Sequence, residues 1–214
     1  MNFLPPEIER YAEMHTETEP LLLQELDRET NMNVLMPRML SGKMQGRVLS
    51  FISKLLRPKY ILEIGTYTGY SALCLAEGMV AEGELHTIDN NEELNEIAKR
   101  YFKKSAYADH ILKHTGNALE IIPTLNRLWD LVFIDADKGN YLNYYGMVID
   151  RVRSGGVILT DNVLWSGKVT ASTIADNDKD TIAIQNFNTF IFNDQRIEKL
   201  LLPVRDGIYC AIKK

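Results

Sequence analysis

The chain has little cysteine: only Cys74 and Cys210, far apart and without metal-ligand spacing. That excludes a disulfide framework and a thiolate metal centre, and it fits a reduced, cytoplasmic setting. Long apolar runs are missing too. None approaches the roughly 18 residues of a membrane span, and Met1 to Pro6 shows no basic region followed by an apolar stretch. Neither a membrane anchor nor a signal peptide is therefore expected. Positive charge is also short. A net charge of −5 gives no global basic field for nucleic acid or an anionic membrane. Local basic clusters remain at Lys54, Arg57 and Lys59 and at Arg100, Lys103 and Lys104. The four histidines, His15, His86, His110 and His114, stand outside every motif below and read as structural. There is no internal repeat and no low-complexity tract. What is present, 45% hydrophobic and 25% charged residues over 214 positions, is ordinary globular composition in a length that one α/β domain fills.

One domain over residues 1–214 is thus expected, with 1–58 as a helical preface packed on it. Pro5-Pro6-Glu7 opens one helix, because proline fits a first helical turn. Glu19-Pro20 opens a second, with Leu21, Leu22, Leu23 and Leu26 as its apolar face. Met44, Val48, Leu49, Ile52, Leu55 and Leu56 repeat at helical spacing. From Tyr60 the pattern alternates. Strands are predicted at 59–64, 84–89, 110–115, 130–135 and 156–161, with helices at 69–80, 91–104, 117–123 and 139–153 between them. Such alternation implies parallel strands joined by right-handed crossovers. Ser172 to Asp180 reads as a loop and 181–193 as a helix. Glu198 to Val204, the turn Arg205-Asp206-Gly207 and Ile208 to Lys213 read as a closing hairpin. Tyr141, Tyr144, Val148, Ile149 and Val152 follow helical spacing, so these tyrosines read as core.

Two acidic segments follow apolar runs. Phe133-Ile134-Asp135-Ala136-Asp137-Lys138 comes after one predicted strand and Leu159-Thr160-Asp161-Asn162 after another. Continuous apolar runs mark strands buried on both faces of a parallel sheet, and the carboxyl ends of such strands are where open α/β sheets bind ligands. If the two strands are neighbours, Asp135, Asp161 and Asn162 converge. Three oxygen donors without histidine or cysteine favour a hard divalent cation, Mg²⁺ ahead of Ca²⁺ or Mn²⁺. A single aspartate is more often a helix cap or a solvated loop residue. The metal reading rests on the set.

The first strand runs into Leu62-Glu63-Ile64-Gly65-Thr66-Tyr67-Thr68-Gly69-Tyr70-Ser71. A glycine-rich turn between strand and helix lets a ligand approach the backbone closely. Twenty residues past Gly69, the second strand ends in Asp89, an acid suited to a ribose diol. A dinucleotide wants glycine where this loop has Tyr67, whose side chain would crowd a pyrophosphate. S-adenosylmethionine has a ribose, an adenine, an ammonium and a carboxylate but no phosphate. Glu63 suits the ammonium, and Ser71 or backbone N–H groups suit the carboxylate, so S-adenosylmethionine is preferred over NAD. A glutamate at the end of a buried strand would otherwise be hard to satisfy.

With these residues assembled, the chain resembles the cation-dependent O-methyltransferases, the group containing catechol and caffeoyl-CoA O-methyltransferases and bacterial relatives. The likeness covers almost the whole chain. It is carried by Leu62-Glu63-Ile64-Gly65 with Thr68-Gly69-Tyr70-Ser71, by Asp135-Ala136-Asp137-Lys138-Gly139-Asn140-Tyr141, and by Asp161-Asn162-Val163-Leu164-Trp165. It implies a Rossmann-like class I methyltransferase fold: a seven-stranded, mostly parallel sheet with an antiparallel C-terminal strand and helices on both faces. It implies Asp135, Asp161 and Asn162 as metal ligands. It implies a cofactor site at Met39, Ser41, Glu63, Gly65, Thr66, Tyr67, Ser71, Asp89, Asn90, Asn117, Ala118, Asp135 and Asp137. Lys138 matches the general base of the catechol enzymes, and Lys138, Trp165 and Ser166 border the substrate. A homodimer is also implied. The sequence departs from the plant enzymes at Ser166, where they carry Asn, along Gly167 to Asp180, and at an N-terminal substrate-binding lysine without a match here. The likeness therefore extends to the chemistry rather than to an acyl-CoA substrate.

The reaction expected is methyl transfer to one hydroxyl of a vicinal diol, a catechol or hydroxycinnamic-type small molecule. Three protein ligands leave about three positions on an octahedral ion, which two hydroxyls and one water would fill. Lys138, beside the cation and at a helix start, is placed to accept the phenol's proton, with Asp135 as its catalytic partner. The competing acceptor is a hydroxylated uridine in tRNA, which would use the local basic clusters.

Overall fold

The structure, a computed structural model, describes residues 4–214; Met1 to Phe3, part of the N-terminal stretch read above, lie outside the described residues. The preface consists of α1 (Pro6–Met14), α2 (Leu21–Asn33) and α3 (Gly42–Leu56), with a short 3-10 turn at Pro37–Met39. Proline occupies the first turn of α1, where its missing N–H leaves no helical bond unmade. α2 buries Leu23, Leu26 and Thr30, while Leu21 faces solvent.

α3 corrects the apolar stripe read from sequence. Its buried residues are Gln45, Gly46, Arg47, Leu49, Ser50 and Ser53; Met44, Val48, Ile52 and Leu56 are half-buried, and Leu55 is exposed. The reason is its neighbour, α4 (Tyr70–Ala76). A side chain at Gly46 would come within 2.7 Å of the Tyr70 ring, so the α4 side chains pack directly on the α3 backbone there. Polar groups fill the contact: Arg47 pairs with Glu77 at 2.6 Å, and the Ser50 and Ser53 hydroxyls donate to Glu77 and to the Leu75 carbonyl.

Beyond α3 the alternation holds. β1 (Tyr60–Ile64), α4, β2 (Glu84–Asp89), α5 (Asn95–Lys104), β3 (Ile111–Thr115), α6 (Ala118–Ile121), β4 (Trp129–Ile134), α7 (Tyr141–Val148), β5 (Val152–Thr160), α8 (Lys179–Asn193), β6 (Ile197–Leu202) and β7 (Ile208–Lys213) follow in order. The seven strands are arranged β3-β2-β1-β4-β5-β7-β6, with β7 antiparallel to both neighbours and the first five strands parallel. This is the sheet expected. The single helix predicted over 139–153 is shorter. It ends in a 3-10 turn at Ile149–Arg151, because Val152 already pairs with Trp129 in the sheet. Between that pair and Leu131↔Val157, residues 153–156 leave the register.

One face of the sheet packs against α6, α7 and α8 through Tyr141, Tyr145, Val148, Phe187 and Ile191. The other packs against α2 to α5 through Leu26, Leu49, Leu75 and Phe102. β1 is the middle of the first five strands, its register set by Ile64↔Ile88 on one side and Ile64↔Ile134 on the other. The chain reverses direction across the sheet between β1 and β4. A crevice opens there, outside the strands' carboxyl ends. Among the described residues no helix is long and apolar enough to cross a membrane.

Candidate active site

The crevice is a cleft of about 1250 Å³ reaching from the loop after β1 to the turn between β6 and β7. Its first wall is the glycine loop. Gly65 has φ +104°, and a Cβ there would sit 2.0 Å from the Asp135 carbonyl oxygen, so only glycine lets β1 and β4 end side by side. Tyr67 adopts φ +50°, a costly conformation for a bulky residue. Two bonds hold it: its N–H donates to Asp89 Oδ2 at 2.7 Å, and its hydroxyl donates to the Met36 carbonyl at 2.9 Å. Asp89 thus anchors the loop from the end of β2 while its Oδ1 accepts from Asn91 N at 2.8 Å. A carboxylate offers about four lone-pair sites, so acceptor capacity for hydroxyls is left.

Glu63, one residue before the loop's edge, is fully buried. Its Oε2 accepts from the Thr87 hydroxyl at 2.5 Å, the Thr87 hydroxyl is 2.6 Å from that of Thr66, and Oε1 has no partner. Burial pushes its carboxyl up to about 8, against the pull of the Ser71 and Thr87 hydroxyls and with help from Asp135 and Asp89. Glu63 does not itself line the cleft; Gly65, Thr66 and Ser71 do. The remaining residues assigned to the cofactor converge on the same wall: Met39, Ser41, Tyr67, Asp89, Asn90, Asn117, Ala118, Asp135 and Asp137 all line the cleft. Asn117 also caps α6, its side chain accepting from Leu119 N at 3.0 Å. Asp137 accepts from the Tyr144 hydroxyl and the Asn140 amide, both at 2.5 Å.

The acidic segments meet at the far end. Asp135 and Asp161 immediately follow the paired residues Ile134 and Thr160 of neighbouring strands. Lys138 Nζ donates to Asp135 Oδ1 at 3.1 Å, to Asn162 Oδ1 at 2.6 Å and to the Tyr141 hydroxyl at 2.5 Å. Asp161 is 3% exposed, and its Oδ1 is buried without a partner. Burial, and then the charge of Asp135, push its carboxyl up. Two carboxylates and an amide carbonyl, one oxygen orphaned and two already facing an ammonium, form a donor set that fits a hard cation. Among the described residues no group of three His, Cys, Asp or Glu side chains is arranged to hold a metal. The set works only with Asn162 as its third oxygen.

The wall expected to border the substrate is strained. Asn162, Trp165 and Ser166 have φ of +57°, +46° and +54°. Asp206 Oδ1 accepts from Ser166 N and so holds the turn. The half-exposed Trp165 ring lies 5.8 Å from Lys138 Nζ.

Four residues of this site went unread in the sequence. Tyr141 belongs to the core, as its spacing indicated, yet its hydroxyl accepts from Lys138 and donates to the Asp161 carbonyl at 3.0 Å. Gln45 donates to Asp161 Oδ2 at 2.8 Å. Arg205 and Asp206 arrive from the β6–β7 turn. Gln45 did leave a signal, a polar residue four positions before Leu49 on the buried side of α3. Arg205 and Asp206 left none, because they read as turn residues.

A family model described as O-methyltransferase matches residues 12–214. Caffeoyl-CoA O-methyltransferase 5 of Nicotiana tabacum is 37% identical over 174 residues, covering 77% of this chain and 72% of that protein. Among solved structures, the SAH-bound Podospora anserina methyltransferase PaMTH1 superposes with a TM-score of 0.89 at 29% identity, covering 100% of this chain and 99% of that one. The O-methyltransferase from Bacillus cereus in complex with SAH gives 0.88 at 27% identity, with 97% of each chain covered.

Proposed function

The chain belongs to the O-methyltransferase family, and on that premise we propose that it moves a methyl group from S-adenosylmethionine to one hydroxyl of a vicinal diol, a catechol or hydroxycinnamic-type small molecule, with a divalent cation held by Asp135, Asp161 and Asn162. The observation that carries the reading is the convergence of these three oxygens with Lys138 at one end of a cleft whose other end is the glycine loop and Asp89. The caffeoyl-CoA name of the plant relative supports a hydroxycinnamic-type acceptor.

Each residue has a task in this reading. Asp89 accepts from the ribose hydroxyls. Glu63, buried behind the loop, acts on the methionyl ammonium through its negative charge, and Ser71 donates to the methionyl carboxylate. Met39, Ala118 and the loop backbone enclose the rest. Trp165 walls the aromatic ring, and Ser166 borders it. When bound, the divalent cation, Mg²⁺ before Ca²⁺ or Mn²⁺, supplies a positive field that lowers the pKa of the coordinated hydroxyl. Acting as base, Lys138 enters the step as the neutral amine, and its Nζ lone pair takes the phenol's proton as the phenolic oxygen forms its bond to the methyl carbon. The carbon–sulfur bond breaks, and the sulfonium becomes a neutral thioether. Asp135 and Tyr141 hold Lys138 in place through its hydrogen bonds. Fixing oxygen and methyl carbon in line makes the step effectively unimolecular.

The tRNA alternative has less support. Three of the six basic residues that could form its groove are paired with acids of the same chain: Lys54 with Glu77, Arg100 with Glu29 and Lys104 with Glu25. The homodimer expected of this family would find apolar surface on α1, which buries none of its residues and exposes Ile8, Tyr11 and Met14. Sedimentation equilibrium decides that point.

The test is transfer of labelled methyl from S-adenosylmethionine to a simple catechol, with Mg²⁺ and with excess chelator. Cation-dependent product is expected. Equal product in chelator would remove the metal from the reading. No product from cofactor-loaded protein would remove the catechol.

A further inference from the structure

Gln45 sits at the join between the preface and the acidic cluster. It is 1% exposed and lies in the first turns of α3, more than a hundred residues from Asp161 in sequence. Its Nε2 donates to Asp161 Oδ2 at 2.8 Å, and its Oε1 accepts from Arg205 Nη1 at 3.3 Å. The two contacts fix the amide's orientation by chemistry. A guanidinium has only donors and an ionised carboxylate only acceptors, so the carbonyl must face Arg205 and the NH₂ must face Asp161. Arg205 is anchored in turn, with Nη1 also donating to the Leu40 carbonyl at 2.8 Å and to the Ser41 carbonyl.

The consequence falls on Asp161. Gln45 takes up one side of Oδ2 and leaves Oδ1, buried and unpartnered, as the oxygen of that carboxylate with both lone pairs open to a further group. We propose that Gln45, oriented by Arg205, is a positioning residue that presents Asp161 to a divalent cation through one oxygen. A carboxylate free to rotate could chelate with both oxygens and use up a coordination position that the diol needs. Held by Gln45 it gives one. The inference rests on the metal reading above and adds to it how Asp161 is aimed. It also ties the Leu40–Ser41 segment at the cofactor end to a ligand at the cation end through one arginine.

The experiment measures Mn²⁺ affinity directly, by electron paramagnetic resonance titration of the full chain saturated with S-adenosylhomocysteine. Wild type is compared with Gln45→Met, which keeps the length and removes the donor, and with Arg205→Met, which leaves Gln45 in place without its orienting partner. Outer-sphere partners of this kind are worth roughly tenfold to a hundredfold in metal affinity. Gln45→Met is expected to weaken Mn²⁺ by roughly tenfold or more. Arg205→Met should weaken it less, and adding it to Gln45→Met should change nothing further, because one acts through the other. S-adenosylhomocysteine affinity of Gln45→Met should stay at the wild-type value. A residue that merely fills the core would lower both affinities together. Excess Mn²⁺ should return turnover of Gln45→Met toward wild type.

Undiminished Mn²⁺ affinity in Gln45→Met, with wild type binding normally, overturns the positioning role alone. Wild type without Mn²⁺ binding overturns the metal reading and this inference with it. If Gln45→Met does not fold, unchanged affinity in Arg205→Met overturns the relay.

Discussion

Replacing Glu63 with glutamine removes a charge that the folded protein resists forming. The carboxyl is fully buried, one oxygen has no partner, and it protonates at about 8 rather than near the ordinary 4.5. The interval is worth about 5 kcal/mol, at roughly 1.36 kcal/mol per pH unit. Its sign follows from linkage. The folded carboxyl holds its proton to higher pH than the unfolded one, so this contribution to stability is complete below about pH 4.5 and is lost as pH rises through 8. Between pH 5.5 and 8.5 the cofactor-free wild type should lose about 3 kcal/mol that Glu63→Gln, which cannot ionise, does not lose. Urea denaturation of both proteins at those two pH values measures it, and using the difference between them cancels the other titrating groups. Parallel curves would refute the argument, because they would mean that Glu63 ionises in the fold as easily as in water. S-adenosylmethionine should flatten the wild-type curve, since its ammonium favours the ionised acid. Its affinity for Glu63→Gln should fall by about tenfold, the change that removing about 1.4 kcal/mol of favourable charge interaction produces.

Asp161→Ala should abolish turnover and the response to added Mg²⁺ while cofactor affinity, measured by calorimetry, stays largely intact; full turnover in chelator would contradict its assignment. Lys138→Met removes a proton acceptor and should lower kcat by about a hundredfold or more with little change in cofactor affinity, the range seen for general bases; steady-state kinetics decide this, and an unchanged kcat would leave Lys138 a structural cation. Asp206→Ala frees the turn that holds Trp165 and Ser166 at positive φ, so KM for the catechol should rise severalfold while kcat changes less. Equal KM values would show that the turn keeps its shape unaided.

Much of this protein is legible in its sequence. The continuous apolar runs before Asp135 and Asp161 fix two buried parallel strands, because only a sheet covered on both faces tolerates them. Gly65 and Gly69 mark the loop, because their positive φ strains any other residue and a Cβ would strike the Asp135 backbone at Gly65 and the Phe102 ring at Gly69. Three acidic or amide residues after two such strands suggest the proposed hard-oxygen donor set by chemical type alone. Those readings come from local chemistry, and local chemistry needs no partner from elsewhere in the chain.

The tertiary structure decided the rest. It set β4 beside β5, so that Asp135 and Asp161 stand together. It turned α3 away from its expected apolar stripe, since helix packing against α4 demanded Gly46, Arg47, Ser50 and Ser53 rather than the larger aliphatic side chains. It brought Gln45 from the preface to the Asp161 carboxylate, and Arg205 from the last hairpin to Gln45. It also buried Glu63 behind the loop rather than in the open cleft, which is why that acid holds its proton. Each of these depends on contacts between residues far apart in the chain. Neither periodicity nor propensity carries them, because both describe a residue only by its neighbours in sequence.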